Sequence, residues 1–162
     1  MRILIANRGE IARRIIRTAH RLGHETVAVY AEPDVDAPFV GEATMAVAIG
    51  PASLADSYLS GERILAAAAA SAATAVHPGY GFLAENAMFA QSCIDQGLIW
   101  IGPHPQAIAS MGSKIEARAI AERAEVPTIP GWSESQDSEE LAQAAAQIGF
   151  PVLVKASAGG GG

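Results

Sequence analysis

Aromatic residues make up only 6% of this 162-residue chain, cysteine occurs once, and no apolar run approaches the ~18 residues that a membrane-spanning helix requires. A lone cysteine excludes an internal disulfide. Set among Ala90 and Ile94, Cys93 reads as part of a helix core face and not as a reactive nucleophile. Few stacking rings and a net charge of −6 argue against the broad basic, aromatic-lined face that nucleic-acid binding needs. The amino terminus passes from Met1-Arg2-Ile3 straight into an apolar strand without an apolar leader. His20, His24 and His104 lack the spacing of metal ligands, so no metal site is expected within this segment. Together these absences predict a soluble protein of a reducing, cytoplasmic compartment, with no membrane or nucleic-acid partner.

What is present is material for a core. Apolar residues are 50% of the chain, enough for one domain and a little more. Ile3 to Ala6 reads as a buried strand, Asn7-Arg8-Gly9-Glu10 as a turn, and Ile11 onward as a helix closed by Gly23. On that helix Ile11, Ala12, Ile15, Ile16, Ala19 and Leu22 share one face, while Arg13, Arg14, Arg17 and Arg21 gather on the other. Four like charges on one face repel, so the stripe is either solvated or meets an acidic partner surface. Further strands are expected at 26–30, 45–49, 75–77 and 99–101, with helices at 62–73 and 86–96. This alternation predicts an α/β fold: a mostly parallel sheet covered by helices on both faces, with ligands beyond the carboxyl ends of its strands.

The organisation changes at Pro105, which places one domain at 1–104 and the start of a second at 105–162. Ser113-x-x-Glu116 and Asp137-x-x-Glu140 are capping-box patterns that each open a helix, and Val152 to Lys155 reads as a strand. After Lys155 comes the run Gly159 to Gly162. Each glycine costs about 0.5–1 kcal/mol of backbone entropy relative to alanine, so four in a row suggest close approach of backbone N–H groups to an anion. A flexible linker is the competing reading. On the anion reading, the rest of a nucleotide site is expected beyond Gly162. Lys114 falls at the first position of its helix, where the macrodipole disfavours a cation by about 0.3–1 kcal/mol; it either sits beside an anion or reaches into water. Neither glycine run meets the P-loop spacing, since Gly112-Ser113-Lys114 has no glycine five residues before its own, and the single glycine of Asn7-Arg8-Gly9-Glu10 does not make a dinucleotide fingerprint. The loop His77 to Asn86 mixes two glycines with two aromatics at a strand's carboxyl end and suits a pocket lining; His77 itself reads as a packed or capping histidine.

Ile5-Ala6-Asn7-Arg8-Gly9-Glu10-Ile11-Ala12, the His77 to Asn86 loop, Ile101-Gly102-Pro103, Met111-Gly112-Ser113-Lys114 and Val154-Lys155-Ala156-Ser157-Ala158-Gly159 closely resemble the biotin carboxylases, in order and over nearly the whole chain. The resemblance implies a Rossmann-like pre-ATP-grasp domain followed by the beginning of an ATP-grasp domain. It implies an ATP-dependent ligase in which ATP and bicarbonate form carboxyphosphate, whose carboxyl group passes to biotin on a carrier domain or subunit, with Mg²⁺ neutralising the phosphates. By the same likeness Lys114, Lys155, Gly161 and Gly162 contact ATP, Tyr80 and Gly81 face the biotin, and the catalytic and metal-binding groups follow the glycine loop. A carboxyltransferase subunit and a homo-oligomer, with the first helix at its dimer surface beside Arg14 and Arg17, are the implied assembly partners. Ala158 is more like the acyl-CoA carboxylase subunits than pyruvate carboxylase. Phe39 and Thr44 depart from the family's usual His and Asp, and Ala84 from a common Ser. Two other readings stand beside this one: another ATP-grasp ligase, such as a carbamoyl-phosphate synthetase, and a non-catalytic assembly module built on the arginine face.

Overall fold

Strand β1 (Arg2–Ile5) is the centre of a five-stranded sheet, and its neighbours bury it on both edges and both faces. The computed structural model describes residues 1–132, 134, 135 and 137–155, and the chain divides into two units, Met1–Ala109 and Ser110–Gly162. In the first unit β2 (Glu25–Ala31), β3 (Met45–Gly50), β4 (Ala75–His77) and β5 (Ile99–Trp100) join β1 in the order β3-β2-β1-β4-β5, every pair parallel. Parallel pairing needs crossover helices, and α1 (Gly9–Arg21), α3 (Gly61–Ala70) and α4 (Ala87–Asp95) supply them. The two-residue period of β1 divides the core: Leu4 packs with Tyr58, Ile64, Phe89 and Cys93, whereas Ile5 packs with Ala12, Ile15, Ile16 and Phe39. The expected α/β sheet with helices on both faces is therefore present. Each fully buried isoleucine adds about 1.5–3 kcal/mol.

The helix boundaries follow local chemistry. Gly23, at φ 76°, turns the chain out of α1, and its left-handed conformation lifts Leu22 off the core; that residue is 66% exposed, contrary to its expected place on the buried face. Helix α3 stops at Ala70, three residues before expectation. There Ser71 Oγ donates to the Ala67 carbonyl, Ala72 enters the left-handed region at φ 50°, and the Ala73 amide reaches back to the Ala68 carbonyl. Asn86 caps α4 by accepting from the Phe89 amide at 2.9 Å. A short helix α2 (Pro38–Glu42), unforeseen in the sequence, buries Phe39 against α1. Its Glu42 accepts from Arg13 Nε at 2.8 and 2.9 Å, so part of the arginine stripe is answered within the chain. Thr44, one of the departures from the family pattern, exchanges backbone and hydroxyl hydrogen bonds with Thr26 at the start of β2.

The division between the units falls inside α5 (Pro105–Gly112). In the second unit α6 (Lys114–Arg123) opens on Ser113, whose hydroxyl accepts from the Glu116 amide, and α7 (Ser138–Ile148) on Asp137, whose carboxylate accepts from the amides of Glu139 and Glu140. Both starts were marked by the capping patterns. The strand expected at Val152 to Lys155 is not formed: these residues have no regular structure, and Leu153 and Val154 are 78% and 84% exposed. A strand exists only as part of a ladder, and no described residue of this unit belongs to another strand with which it could pair.

Because β1 and β4 are adjacent, the loops that leave them touch. Gly79 adopts φ 69°, and a Cβ there would lie 2.7 Å from both Asn7 Nδ2 and Ile11 Cγ2. Gly79→Ala is expected to lower stability by about 2–4 kcal/mol, from left-handed strain plus overlap, measured by urea unfolding. Cys93 is fully buried and its thiol is pushed up to about 12 by that burial. Since the thiolate is the reactive form, the native chain at pH 8 should resist Ellman's reagent, whereas the unfolded chain yields one equivalent at once; prompt native labelling would contradict the core placement.

Candidate functional site

At the carboxyl ends of β1 and β4, two loops meet around one buried amide. Asn7 has no exposed surface; its Nδ2 donates to the carbonyls of Pro78 at 2.8 Å and Tyr80 at 2.9 Å, and its Oδ1 accepts from the Arg8 amide at 2.9 Å. The donors and acceptor that burial would otherwise strand are thus spent on fixing the loop after β4. His77 contributes from the same loop: its Nδ1 accepts from the Gly79 amide at 3.0 Å, which makes it the capping histidine that its position before Pro78 suggested. Burial first, and then the positive charge of Arg14, hold its pKa below the ordinary imidazole value, so the ring is neutral at pH 7.

The backbone beyond Pro78 is left-handed at Gly79, Gly81 and Phe82, with φ of 69°, 67° and 48°. For an aromatic residue such a φ is costly, and neighbouring side chains must hold it there. Phe82 stacks on Tyr58 with ring centroids 5.7 Å apart and 12° between planes. The Arg8 guanidinium lies 5.3 Å from the Tyr58 centroid and 5.5 Å from that of Phe82, and 3.6 Å from the Asp34 carboxylate. Tyr58 is itself fully buried, accepting from the Ala31 amide at 3.1 Å and donating to Asp34 at 2.7 Å. Desolvation, followed by the Asp34 hydrogen bond, raises its pKa far above the ordinary phenol value, so it stays neutral. With its groups satisfied, this cluster is an anchor and not a reaction centre.

What the anchor presents outward is Tyr80 and Gly81. Tyr80 is 65% exposed, and its hydroxyl donates to Glu10 Oε1 at 2.8 Å. That carboxylate holds the phenol above its usual pKa. The sequence singled out Tyr80, Gly81 and His77, but gave Asn7, Arg8 and Glu10 no role and passed over Tyr58 and Asp34. A polar Asn directly after an apolar strand was the available signal for the first of these; Tyr58 sits in a stretch without helical or strand periodicity and offered none.

The second unit carries the chain's only two lysines. Lys114 is exposed at the first position of α6, where the helix start is fixed by Ser113. Lys155 is also exposed. Gly161 and Gly162 lie outside the described residues. The positive end of the α6 dipole and ammonium groups such as those of Lys114 and Lys155 are of a chemistry suited to phosphate oxygens. Among the described residues no group of three or more His, Cys, Asp or Glu side chains gathers as a metal centre would require, and no helix is long and apolar enough to cross a membrane.

Comparison with known proteins gives these features a setting. Residues 1–108 match the family model of the biotin carboxylase N-terminal domain, and residues 113–162 that of the carbamoyl-phosphate synthase L chain ATP-binding domain. The chain is 56% identical to biotin carboxylase 2 of Bacillus subtilis and 53% identical to the biotin-dependent acyl-coenzyme A carboxylase alpha3 subunit of Mycobacterium leprae; each match covers 99% of this chain but only 36% and 27% of those proteins. Among solved structures, the biotin carboxylase domain dimer of Hydrogenobacter thermophilus 2-oxoglutarate carboxylase, in complex with MgADP, ADP and bicarbonate, matches with 49% identity and a TM-score of 0.91, over 99% of this chain and 35% of that one. The biotin carboxylase of Campylobacter jejuni in its β,γ-ATP complex matches with 43% identity and a TM-score of 0.91, over 99% of this chain and 36% of that one. This chain, spanning about a third of the length of such relatives, belongs to the biotin carboxylase family and corresponds to its amino-terminal part.

Proposed function

We propose that this chain is the amino-terminal part of a biotin carboxylase that uses ATP and bicarbonate to make carboxyphosphate and passes the carboxyl group to carrier-bound biotin. The observation that carries the reading is 56% identity across 99% of the chain to a biotin carboxylase, together with relatives solved with MgADP and bicarbonate. The match of residues 113–162 to a carbamoyl-phosphate synthase model reflects a phosphate-binding element common to both ligases, while residues 1–108 favour biotin. We assign residues 1–104 to the Rossmann-like domain and 105–162 to the start of the ATP-grasp domain.

Phosphoryl transfer is mainly positioning and charge stabilisation. Lys114 and Lys155 act as point charges against the polyphosphate, and Gly161 and Gly162 offer backbone amides without a Cβ to hold the phosphates off. Mg²⁺, where bound, neutralises phosphate charge; its ligands belong to parts of the enzyme after the glycine run. Tyr80 and Gly81 form the edge that meets biotin. Carrier and carboxyltransferase domains or subunits, and a second copy of the carboxylase, are its partners, and a single buried cysteine suits a cytoplasmic setting.

In the intact enzyme Lys155→Ala should lower bicarbonate-dependent ATP hydrolysis by roughly two orders of magnitude, as loss of one charge-stabilising group does. Coupled-enzyme detection of ADP measures this, and unchanged turnover would remove Lys155 from the site. The 162-residue chain alone is expected to give no biotin-dependent ADP release in the same assay.

A further inference from the structure

The turn Asn7 to Glu10 fails as a dinucleotide fingerprint, and the proposed chemistry uses none of its side chains. Yet three of its four residues grip the loop after β4. Asn7 holds the carbonyls of Pro78 and Tyr80, Arg8 covers the rings of Phe82 and Tyr58, and Glu10 accepts from the Tyr80 hydroxyl. We propose that this turn is a positioning element for biotin: it sets the orientation of Tyr80 and Gly81 before biotin arrives, with Glu10 as the residue that fixes the Tyr80 ring. The inference rests on the reading of Tyr80 and Gly81 as the biotin-facing edge.

The physical argument is entropic. A tyrosine that is 65% exposed has little packing to choose its rotamer, and a loop with three left-handed residues has no regular ladder to choose its path. Both choices are made instead by groups on the neighbouring loop. A ring already oriented costs less to order when ligand binds, so the benefit falls on biotin and not on ATP, whose proposed contacts are Lys114, Lys155 and the glycines. Glu10 also sits in the first turn of α1, where a negative charge favours the helix dipole. The two roles separate by chemistry. Glutamine keeps an acceptor oxygen for the Tyr80 hydroxyl but loses the charge; alanine loses both.

The test is steady-state kinetics of the intact carboxylase with free biotin and, separately, ATP as the varied substrate. Glu10→Ala should raise KM for biotin about fivefold and leave KM for ATP unchanged, the scale of one lost hydrogen bond. Glu10→Gln should recover most of the loss, and Glu10→Ala should add nothing in a Tyr80→Phe background. If Tyr80→Ala raises KM for biotin while Glu10→Ala does not, the positioning role is overturned and the reading of the loop survives. If neither variant changes it, both fall. Equal effects on biotin and ATP, or a Gln variant as poor as Ala, would reduce Glu10 to a structural or dipole role and overturn the proposal.

Discussion

A side-chain amide with no exposed surface must find partners for its hydrogens and its oxygen or cost the fold several kcal/mol. Asn7 meets that demand by binding two carbonyls of a loop 71 and 73 residues away in sequence and the amide next to itself. Much of the first unit's candidate site depends on this constraint. It requires β1 and β4 to be neighbours, since only then do Asn7 and Pro78 leave the sheet side by side. It also requires Gly79, because any side chain there would occupy the space of the Asn7 amide.

Energy and chemistry are divided between the two faces of this site. Below it, Tyr58, Phe82, Arg8 and Asp34 form a stacked and charge-balanced plug in which burial keeps the Tyr58 phenol neutral. Above it, Tyr80 and Gly81 are left facing outward. Leaving a side chain such as Tyr80 exposed on a loop while anchoring that loop through buried polar contacts is how a fold combines access with precision. The second unit differs: its helices begin at well-formed caps, but the segment leading to Lys155 has no ladder partner among the described residues.

The sheet and its helices were largely legible in the sequence because each element carried its own signal. Alternating apolar strands, the amphipathic face of α1, the glycines after α1 and α4 and the Ser and Asp caps of α6 and α7 all act within a few residues. What was not legible depends on distant neighbours. Helix α2 is too short for a period and is held by the burial of Phe39 against α1, and the absence of a strand at Val152 to Lys155 goes with the lack of a partner strand among the described residues of its unit. The candidate site divides in the same way. Tyr80 and Gly81 stood out by composition, whereas Asn7, Arg8 and Glu10 acquire meaning only when the topology sets them against the loop after β4. Lys114 and Lys155 owe their assignment to resemblance, with the start of α6 as physical support.

The central claim is that the Asn7 to Glu10 turn and the loop after β4 form one preset unit in the protein without ligand. Amide hydrogen exchange at Arg8 and Gly79 tests it most directly, because these amides donate to Asn7 Oδ1 and His77 Nδ1. Exchange slowed by at least two orders of magnitude relative to an unstructured chain is the predicted result. Exchange at the unstructured rate at both amides would contradict it.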